Sequence, residues 1–231
     1  MPSAIPDAAP FPFLLALDTS GPACSVAVAD CSTGQVVGSK TVAMDRGHAE
    51  AIIQIVGGLL SECSLSFDRL CKVAVCIGPG SFAGLRVGLS AAKGYALAQN
   101  CQLVGISAFD AHAKGAPPAH RQATWIALDG RRGEVFMQRV DEPASATRLN
   151  LADLSDFDFQ DSCIYGPFAA EVATAAHLAG DRAIASPRVA DIREIARLGL
   201  QADAAIHPAN LNYMRGADAK PGAGFSIRRA V

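Results

Sequence analysis

Val73-Ala74-Val75-Cys76-Ile77-Gly78-Pro79-Gly80-Ser81-Phe82-Ala83-Gly84-Leu85-Arg86-Val87-Gly88-Leu89 is the stretch on which the reading of this chain turns. Its first five residues are apolar without polar alternation, the pattern of a strand buried on both faces near the middle of a sheet. Gly78-Pro79-Gly80-Ser81 breaks the strand. A helix follows from about Ala83 to Gln99, with Ser81 placed to cap it. The loop lacks the Gly-Lys-Ser/Thr ending of a P-loop and the GxSxG pattern of a nucleophile elbow. Amides at the head of such a helix can meet an anion. Gly84, Gly88 and Ala91–Ala92 share one helical face, and small residues at that spacing let a second helix, from this chain or another, come close.

Upstream, Phe13–Leu17 is a buried strand and Asp18-Thr19-Ser20-Gly21-Pro22 a turn. Cys24–Ala29 alternates polar and apolar residues as a second strand, and Val36–Ala43 is a third, so the chain opens with an antiparallel meander. A helix spans about His48–Glu62 with Ile52, Ile53, Val56, Leu59 and Leu60 on one stripe. Its interior Gly57-Gly58 costs about 1 kcal/mol each relative to alanine, and close approach of another helix would account for them. Downstream, Leu103–Ile106 is a short strand, Ser107 caps a helix through about Lys114, and Ala116-Pro117-Pro118-Ala119 marks a lobe boundary. Thr124–Leu128 and Glu134–Val140 are strands joined by a tight hairpin at Asp129-Gly130-Arg131-Arg132-Gly133. A strand near Ser162–Tyr165 and helices near Phe168–Leu178 and Val189–Ala202 complete the pass. The division that results is an extension at 1–12, a first lobe at 13–115, a second lobe at 116–215 and a flexible Gly- and Ala-rich tail at 216–231. Both lobes open with a strand that ends in Asp before a hairpin, an echo of duplication.

Half of the 231 residues are hydrophobic but only 6% are aromatic, so the core rests on Val, Leu, Ile and Ala. Lys+Arg is 20 against Asp+Glu 22. The densest basic spots are the pairs Arg131–Arg132 and Arg228–Arg229, not the clusters of a protein that grips nucleic acid by its phosphates. If RNA is handled, another protein holds most of it. Seven cysteines without a CxxC, several in apolar runs, read as reduced thiols in a reducing cytosol without zinc-ligand spacing. There is no basic n-region with an h-region and no membrane-length apolar run, so a soluble, cytoplasmic protein is expected. His48, His112, His120, His177 and His207 form no HxxxH or HExxH pair.

Two stretches can carry chemistry. Asp18-Thr19-Ser20 at a strand end can present hydroxyls and amides to a phosphate, or Asp18 can simply bond its own turn. The Asp129–Glu134 hairpin can contact phosphate or hold a local ion network.

The residues quoted resemble the TsaB family, whose members support synthesis of threonylcarbamoyladenosine on tRNAs that read codons starting with A. The resemblance lies in Leu15-Ala16-Leu17-Asp18-Thr19-Ser20 with Ala23–Ala27, in Gly78–Gly88, in Asp129–Phe136 and in Pro208–Arg215, and runs from about residue 13 to 220. It implies an α/β fold of the actin, sugar kinase and chaperone ATPase type, ribonuclease H-like and two-lobed. It implies a non-catalytic subunit required for threonylcarbamoyl transfer to adenosine 37 of ANN-decoding tRNAs. Such a subunit pairs through its first lobe with the catalytic paralogue TsaD, works with the P-loop ATPase TsaE, meets tRNA indirectly, and forms a homodimer through the same surface when alone. The interface residues it points to are Gly84, Arg86, Val87, Gly88 and Ala91. The paralogue's metal-binding HxxxH has its counterpart in Ser107-Ala108-Phe109-Asp110-Ala111-His112. His112 matches the second ligand and Ala108 stands at the first, so neither a metal centre nor a catalytic residue is expected. Asp18, Thr19, Ser20 and Asp129 would be vestigial nucleotide-phosphate contacts. The superfamily's adenosine-binding glycines have only Gly166-Pro167 to match them, so the chain alone is expected to hold no cofactor, with ATP or ADP possible only at the interface with its partner. Two other readings are a stand-alone actin-fold ATPase or kinase, for which Asp18 and Asp129 are the catalytic candidates, and a glycoprotease-type peptidase, which needs a metal or nucleophile set.

Overall fold

Alternation along the first strands fixes how the first lobe is built. Strands β1 (Phe13–Asp18), β2 (Ala23–Asp30), β3 (Val36–Ala43), β4 (Leu70–Gly78) and β5 (Gln102–Ser107) form one sheet in the order β3-β2-β1-β4-β5. The first three are an antiparallel meander, while β4 runs parallel to β1 and β5 parallel to β4. Helix α1 (His48–Glu62) leads into β4, and α2 (Phe82–Gln99) crosses from β4 to β5. Phe13, Leu15, Leu17, Val26, Val28, Val73 and Val75 point to the face covered by α1 and α2. Leu14, Ala16, Ala27, Ala29, Ala74 and Cys76 point to the other face. Polar alternation in β2 suggested one solvated face. Both are buried, and Ser25 is fully enclosed with no partner for its hydroxyl. This computed structural model describes residues 12–117 and 124–214. The extension up to residue 11, the boundary residues beyond Pro117 and the expected tail at 216–231 lie outside the described residues.

The second sheet repeats the plan. Strands β6 (Thr124–Arg131), β7 (Glu134–Arg139), β8 (Glu142–Asn150), β9 (Cys163–Gly166) and β10 (Ala183–Ala185) lie in the order β10-β9-β6-β7-β8. Again three strands form an antiparallel meander, and the next two run parallel to its first. The echo between the two Asp-ended hairpins is therefore a duplication of topology. It is the two-lobed, ribonuclease H-like arrangement of actin-like α/β proteins. The copies differ on their helical side: α4 (Ala169–Ala175) stands where α2 does, and a short 3-10 segment at Leu151–Asp156 stands where α1 does.

The last element of the first sheet's run is α3 (Ala108–Gly115), and the second sheet begins at Thr124, but the residues up to 215 do not all belong to the second lobe. Helix α5 (Ile192–Gln201) returns to cover the alanine-rich face of the first sheet, with Ile192, Ile195 and Ala196 buried there. Gly199 permits the contact, since a Cβ on it would stand 2.5 Å from Cβ of Ala74. Beyond α5 the chain stays with the first lobe: Gly105 donates its amide to His207 O (2.9 Å) and Asn212 its amide to Ile77 O (2.8 Å). The first lobe is thus built from residues 12–117 together with 192–214. Among the described residues no helix is long and apolar enough to cross a membrane.

Lys72 holds the returning helix. Its ammonium donates to the carbonyls of Ala202 (2.8 Å), Gly199 (3.1 Å) and Leu200 (3.4 Å), groups that the end of a helix leaves without partners. Lys72→Met keeps the stem and removes the charge, and is expected to cost about 2 kcal/mol, read as a lower urea midpoint with far-UV circular dichroism unchanged.

Candidate functional site

The C-terminal ends of β1 and β6 face one another across a cleft of about 800 Å³ between the lobes. One wall is the turn after β1 with the Pro79–Phe82 loop before α2; the other is the hairpin after β6 with Pro167 and Phe168 before α4. Asp18 and Asp129 occupy corresponding places on the two walls.

Asp18 is buried and its Oδ1 accepts the amide of Ser20 at 2.8 Å. Burial pushes its carboxyl above the usual carboxylate range, against the lowering pull of the bonds from Ser20 and Cys76. Ser20 is tied to the next turn: its carbonyl accepts the amide of Ser81 at 2.7 Å and its hydroxyl meets Cys76 Sγ at 3.5 Å. Gly80 has to be glycine, because Ser20 O stands 2.7 Å from where its Cβ would be. The two turns are zipped together, so the amides of Ser20 and Ser81 are already used within the chain. Thr19 does not line the cleft. Its side chain lies on the opposite side of the strand, buried, with its hydroxyl donating to Gly84 O at 2.7 Å. Of the expected phosphate contacts, then, Asp18, Ser20 and Asp129 reach the cleft and Thr19 turns away into α2.

On the other wall Asp129 Oδ1 accepts the amide of Arg131 at 2.7 Å, and Oδ2 lies 3.4 Å from Arg131 Nε. Arg131, Arg132 and Gly133 all have positive φ (64°, 55° and 78°), which bends the hairpin back on Asp129. Of the local ion network offered by the sequence, the Asp129–Arg131 pair is formed. His112, which the sequence offered only as half of a metal pair, also lines the cleft beside Ala108. It is buried, with Nδ1 3.4 Å from Ser186 Oγ, and burial pushes its ring down to about 4. Among the described residues no three His, Cys, Asp or Glu side chains converge as a metal set.

The outer side of α2 makes a second surface. Ser81 caps the helix, its hydroxyl accepting the amide of Gly84 at 3.3 Å. Gly84 and Gly88 face inward: a Cβ on Gly84 would lie 1.9 Å from Thr19 O, and one on Gly88 2.6 Å from Thr19 Oγ1. The small-residue face that the sequence assigned to an approaching helix is filled by Thr19 of the same chain, so Gly84 and Gly88 are not on the surface. Arg86, Val87 and Ala91 are. With Ser90 and with Ala49, Ile52 and Ile53 of α1 they line a shallow, mainly apolar groove of about 350 Å³. Ile53 is 57% exposed there. Along α1 and α2 an added Cβ meets nothing within 4 Å at Gly57, Gly58 and Gly94. Residues the sequence did not single out join this groove to the mouth of the cleft. The rings of Phe82 and Tyr213 meet tilted, with centroids 5.0 Å apart, Arg86 lies 3.8 Å over the Phe82 ring, and its Nε donates to Tyr213 OH at 3.2 Å. The signal for Tyr213 was the Pro208–Arg215 segment; its neighbour in space, α2, lies too far away in sequence to be read from it.

Two sheets of one plan around a cleft define a two-lobed actin-like α/β protein. A solved structure of YeaZ from Pseudomonas aeruginosa has the same fold, with a TM-score of 0.66 over 87% of this chain and 99% of that one at 22% identity. The family described as TsaD, tRNA N6-adenosine threonylcarbamoyltransferase, matches residues 36–156, more than half of the chain, and the chain belongs to that family. Curated relatives are named tRNA threonylcarbamoyladenosine biosynthesis protein TsaB. The one from Haemophilus influenzae is 34% identical over 128 residues, 55% of this chain and 53% of that protein. The one from Escherichia coli is 33% identical over 124 residues, 53% and 52% of the two. The matched part spans about half the length of these relatives.

Two outcomes follow for stability. Gly84→Ala drives a methyl into the Thr19 carbonyl and is expected to cost about 2–4 kcal/mol, whereas Gly94→Ala, in open space on the same helix, gains up to about 1 kcal/mol; urea unfolding of both variants checks the pair. His112 is neutral when folded and takes up a proton near pH 6.5 when unfolded, so its contribution is complete above that pH and falls as pH drops toward 4. The loss reaches about 3 kcal/mol, and His112→Asn should flatten this part of the stability profile in urea titrations between pH 7 and about 5.

Proposed function

We propose that this chain is a non-catalytic subunit for threonylcarbamoyl transfer to adenosine 37 of ANN-decoding tRNAs, and that it binds and stabilises a catalytic TsaD paralogue through the α1/α2 face. The observation that carries the reading is the open groove of Ala49, Ile52, Ile53, Val87 and Ala91, mainly apolar, with Arg86 and Ser90 also in its lining. An apolar centre with polar edges is the composition of a stable protein interface. Its backing is rigid, because the inward side of α2 is locked on β1 by the Thr19–Gly84 contact. A face that need not reorganise keeps the cost of association low. Membership of the TsaD family and the TsaB names of the relatives support the choice of reaction and partner.

The cleft fits the same reading. Asp18 and Ser20 bond to groups of their own wall, and Asp129 is held by Arg131. The proposal has the chain alone hold no nucleotide, with ATP or ADP confined to the interface with the partner. TsaE and tRNA engage the assembly through that partner, the homodimer of the isolated chain uses the same α1/α2 face, and the protein works in the cytoplasm.

The test is tRNA threonylcarbamoylation by the catalytic paralogue with its ATPase and a supply of threonylcarbamoyl-adenylate, run with and without this chain. Activity is expected only with the chain present. Ile53→Asp should weaken partner binding about 30- to 100-fold, with Tm unchanged because Ile53 is exposed. Indifference of the reaction to the chain would sink the proposal. Loss of activity in Asp129→Asn with Ile53→Asp fully active would instead favour an enzyme working from its own cleft.

A further inference from the structure

At the end of the first sheet remote from the cleft, Cys31 and Cys71 stand with their sulfurs 2.7 Å apart. The contact is unusual for its place in the fold. Cys31 follows β2 and Cys71 lies at the start of β4, and β1 separates those two strands. Strands two apart in a sheet are about 10 Å from one another. Two local features close the gap. Cys31 lies one residue past the last β1–β2 pair, Phe13–Asp30, in a turn fixed by Asp30 Oδ1, which accepts the amides of Ser32 (2.7 Å) and Thr33 (3.2 Å). On the other side, the pairing of β1 with β4 jumps from Phe13–Leu70 to Leu14–Lys72. Cys71 is the residue skipped, and a bulge of this kind re-aims the side chain that it carries. A turn and a bulge, each placed at its cysteine, thus bring two half-buried thiols into contact across the entry to β1.

We propose that Cys31 and Cys71 are a redox modification site, at which the two thiols are reversibly oxidised to an intramolecular disulfide. With hydrogen peroxide as oxidant, the Cys71 sulfur attacks one peroxide oxygen, the O–O bond breaks, and a sulfenic acid and one water result. The Cys31 sulfur then attacks Cys71 Sγ, the S–S bond forms, the S–O bond breaks, and a second water leaves with the Cys31 proton. In sum two thiols and one peroxide give one disulfide and two waters, with two electrons passing from sulfur to oxygen. A dithiol reductant returns both thiols by exchange and leaves as its own disulfide. Burial, and next the neighbouring Cys71, push the Cys31 thiol up to about 12; the two sulfurs can exchange roles in these steps with the same products. The bond closes a loop that holds β3 and all of α1, so it restrains the unfolded chain over a long span.

The experiment treats the reduced full-length protein with hydrogen peroxide near stoichiometry, then reads intact mass, disulfide-linked peptides and Tm. Expected are a loss of about 2 Da mapping to the Cys31–Cys71 peptides, a Tm higher by about 5–10 °C, and return of both to the starting values with dithiothreitol. Cys31→Ser and Cys71→Ser should each lose the linked peptide and the Tm rise, while Cys101→Ser, just before the neighbouring strand β5, keeps them. A disulfide mapping to Cys101 or any other pair overturns the proposal, as does stepwise oxygen addition at Cys31 or Cys71 without a bond between them. The wild-type peptide map decides the matter even if a serine variant folds poorly.

Discussion

The hydroxyl of Thr19, donated to the carbonyl of Gly84, sets where everything in the first lobe can go. Thr19 follows the last residue of β1, and Gly84 lies in the first turn of α2. The bond requires α2 to lie so close that the backbone of Thr19 takes the space of a side chain at Gly84, and its hydroxyl the space of one at Gly88. Two consequences are geometric. Because neighbouring residues along extended backbone point to opposite faces, turning Thr19 toward α2 turns Asp18 toward the cleft. Because the glycine side of α2 is turned inward, Arg86, Val87 and Ala91 are turned outward. One buried contact sets the cleft on one side of the strand end and the outer α1/α2 face on the other.

The duplicated plan gives that contact its setting. Each lobe places an acidic residue at the end of its first strand, and the lobes meet so that Asp18 and Asp129 line opposite walls of one cleft. The copies are unequal where it counts for assembly. In the first lobe two long helices lie side by side on the sheet, α1 with Ile53 exposed and α2 with Val87 and Ala91 half-buried; in the second, a 3-10 segment replaces the first helix. Among the described residues, only the first lobe has two helices of that length. The return of α5 strengthens the difference. It covers the alanine-rich face of the first sheet from behind, and Lys72 ties its end to β4. That leaves the α1/α2 side as the surface of the first lobe not occupied by the rest of the described chain.

Much of this was legible in the residues, and the failures have physical causes. The apolar run Val73–Ile77 and the loop Gly78–Ser81 gave a central strand and a capped helix because both signals are local: hydrophobic period and turn chemistry. The role of Gly84 and Gly88 was misread because a stripe of small residues says that something comes close, not what. The neighbour is Thr19, 65 residues away from Gly84. Strand β8 was missed because Glu142-Pro143-Ala144-Ser145 is polar and contains proline, which suits an edge strand and hides its pattern. Helix α5 was found, and its amphipathic stripe is plain, but a stripe does not name the sheet it will cover. The bulge at Cys71 depends on register between strands more than fifty residues apart, which no local reading supplies.

Asp18, Ser20 and Ser81 are bonded to one another within the cleft wall. In a site built to take a phosphate, amides at strand and helix ends point outward and wait for an anion. Here the amide of Ser20 goes to Asp18 and that of Ser81 to Ser20 O. Each bond joins parts of the wall to itself, and the Ser81–Ser20 bond in particular fastens the turn after β1 to the loop that starts α2. Opening that bond for a ligand would leave a partly enclosed donor or acceptor unpaired, at a cost of about 1–3 kcal/mol for each group. It would also loosen the seat of Thr19, which precedes Ser20 and holds α2 through Gly84. The Ser20–Asp18 and Ser81–Ser20 bonds therefore help to seat α2, and a ligand entering at Asp18 would have to compete with them.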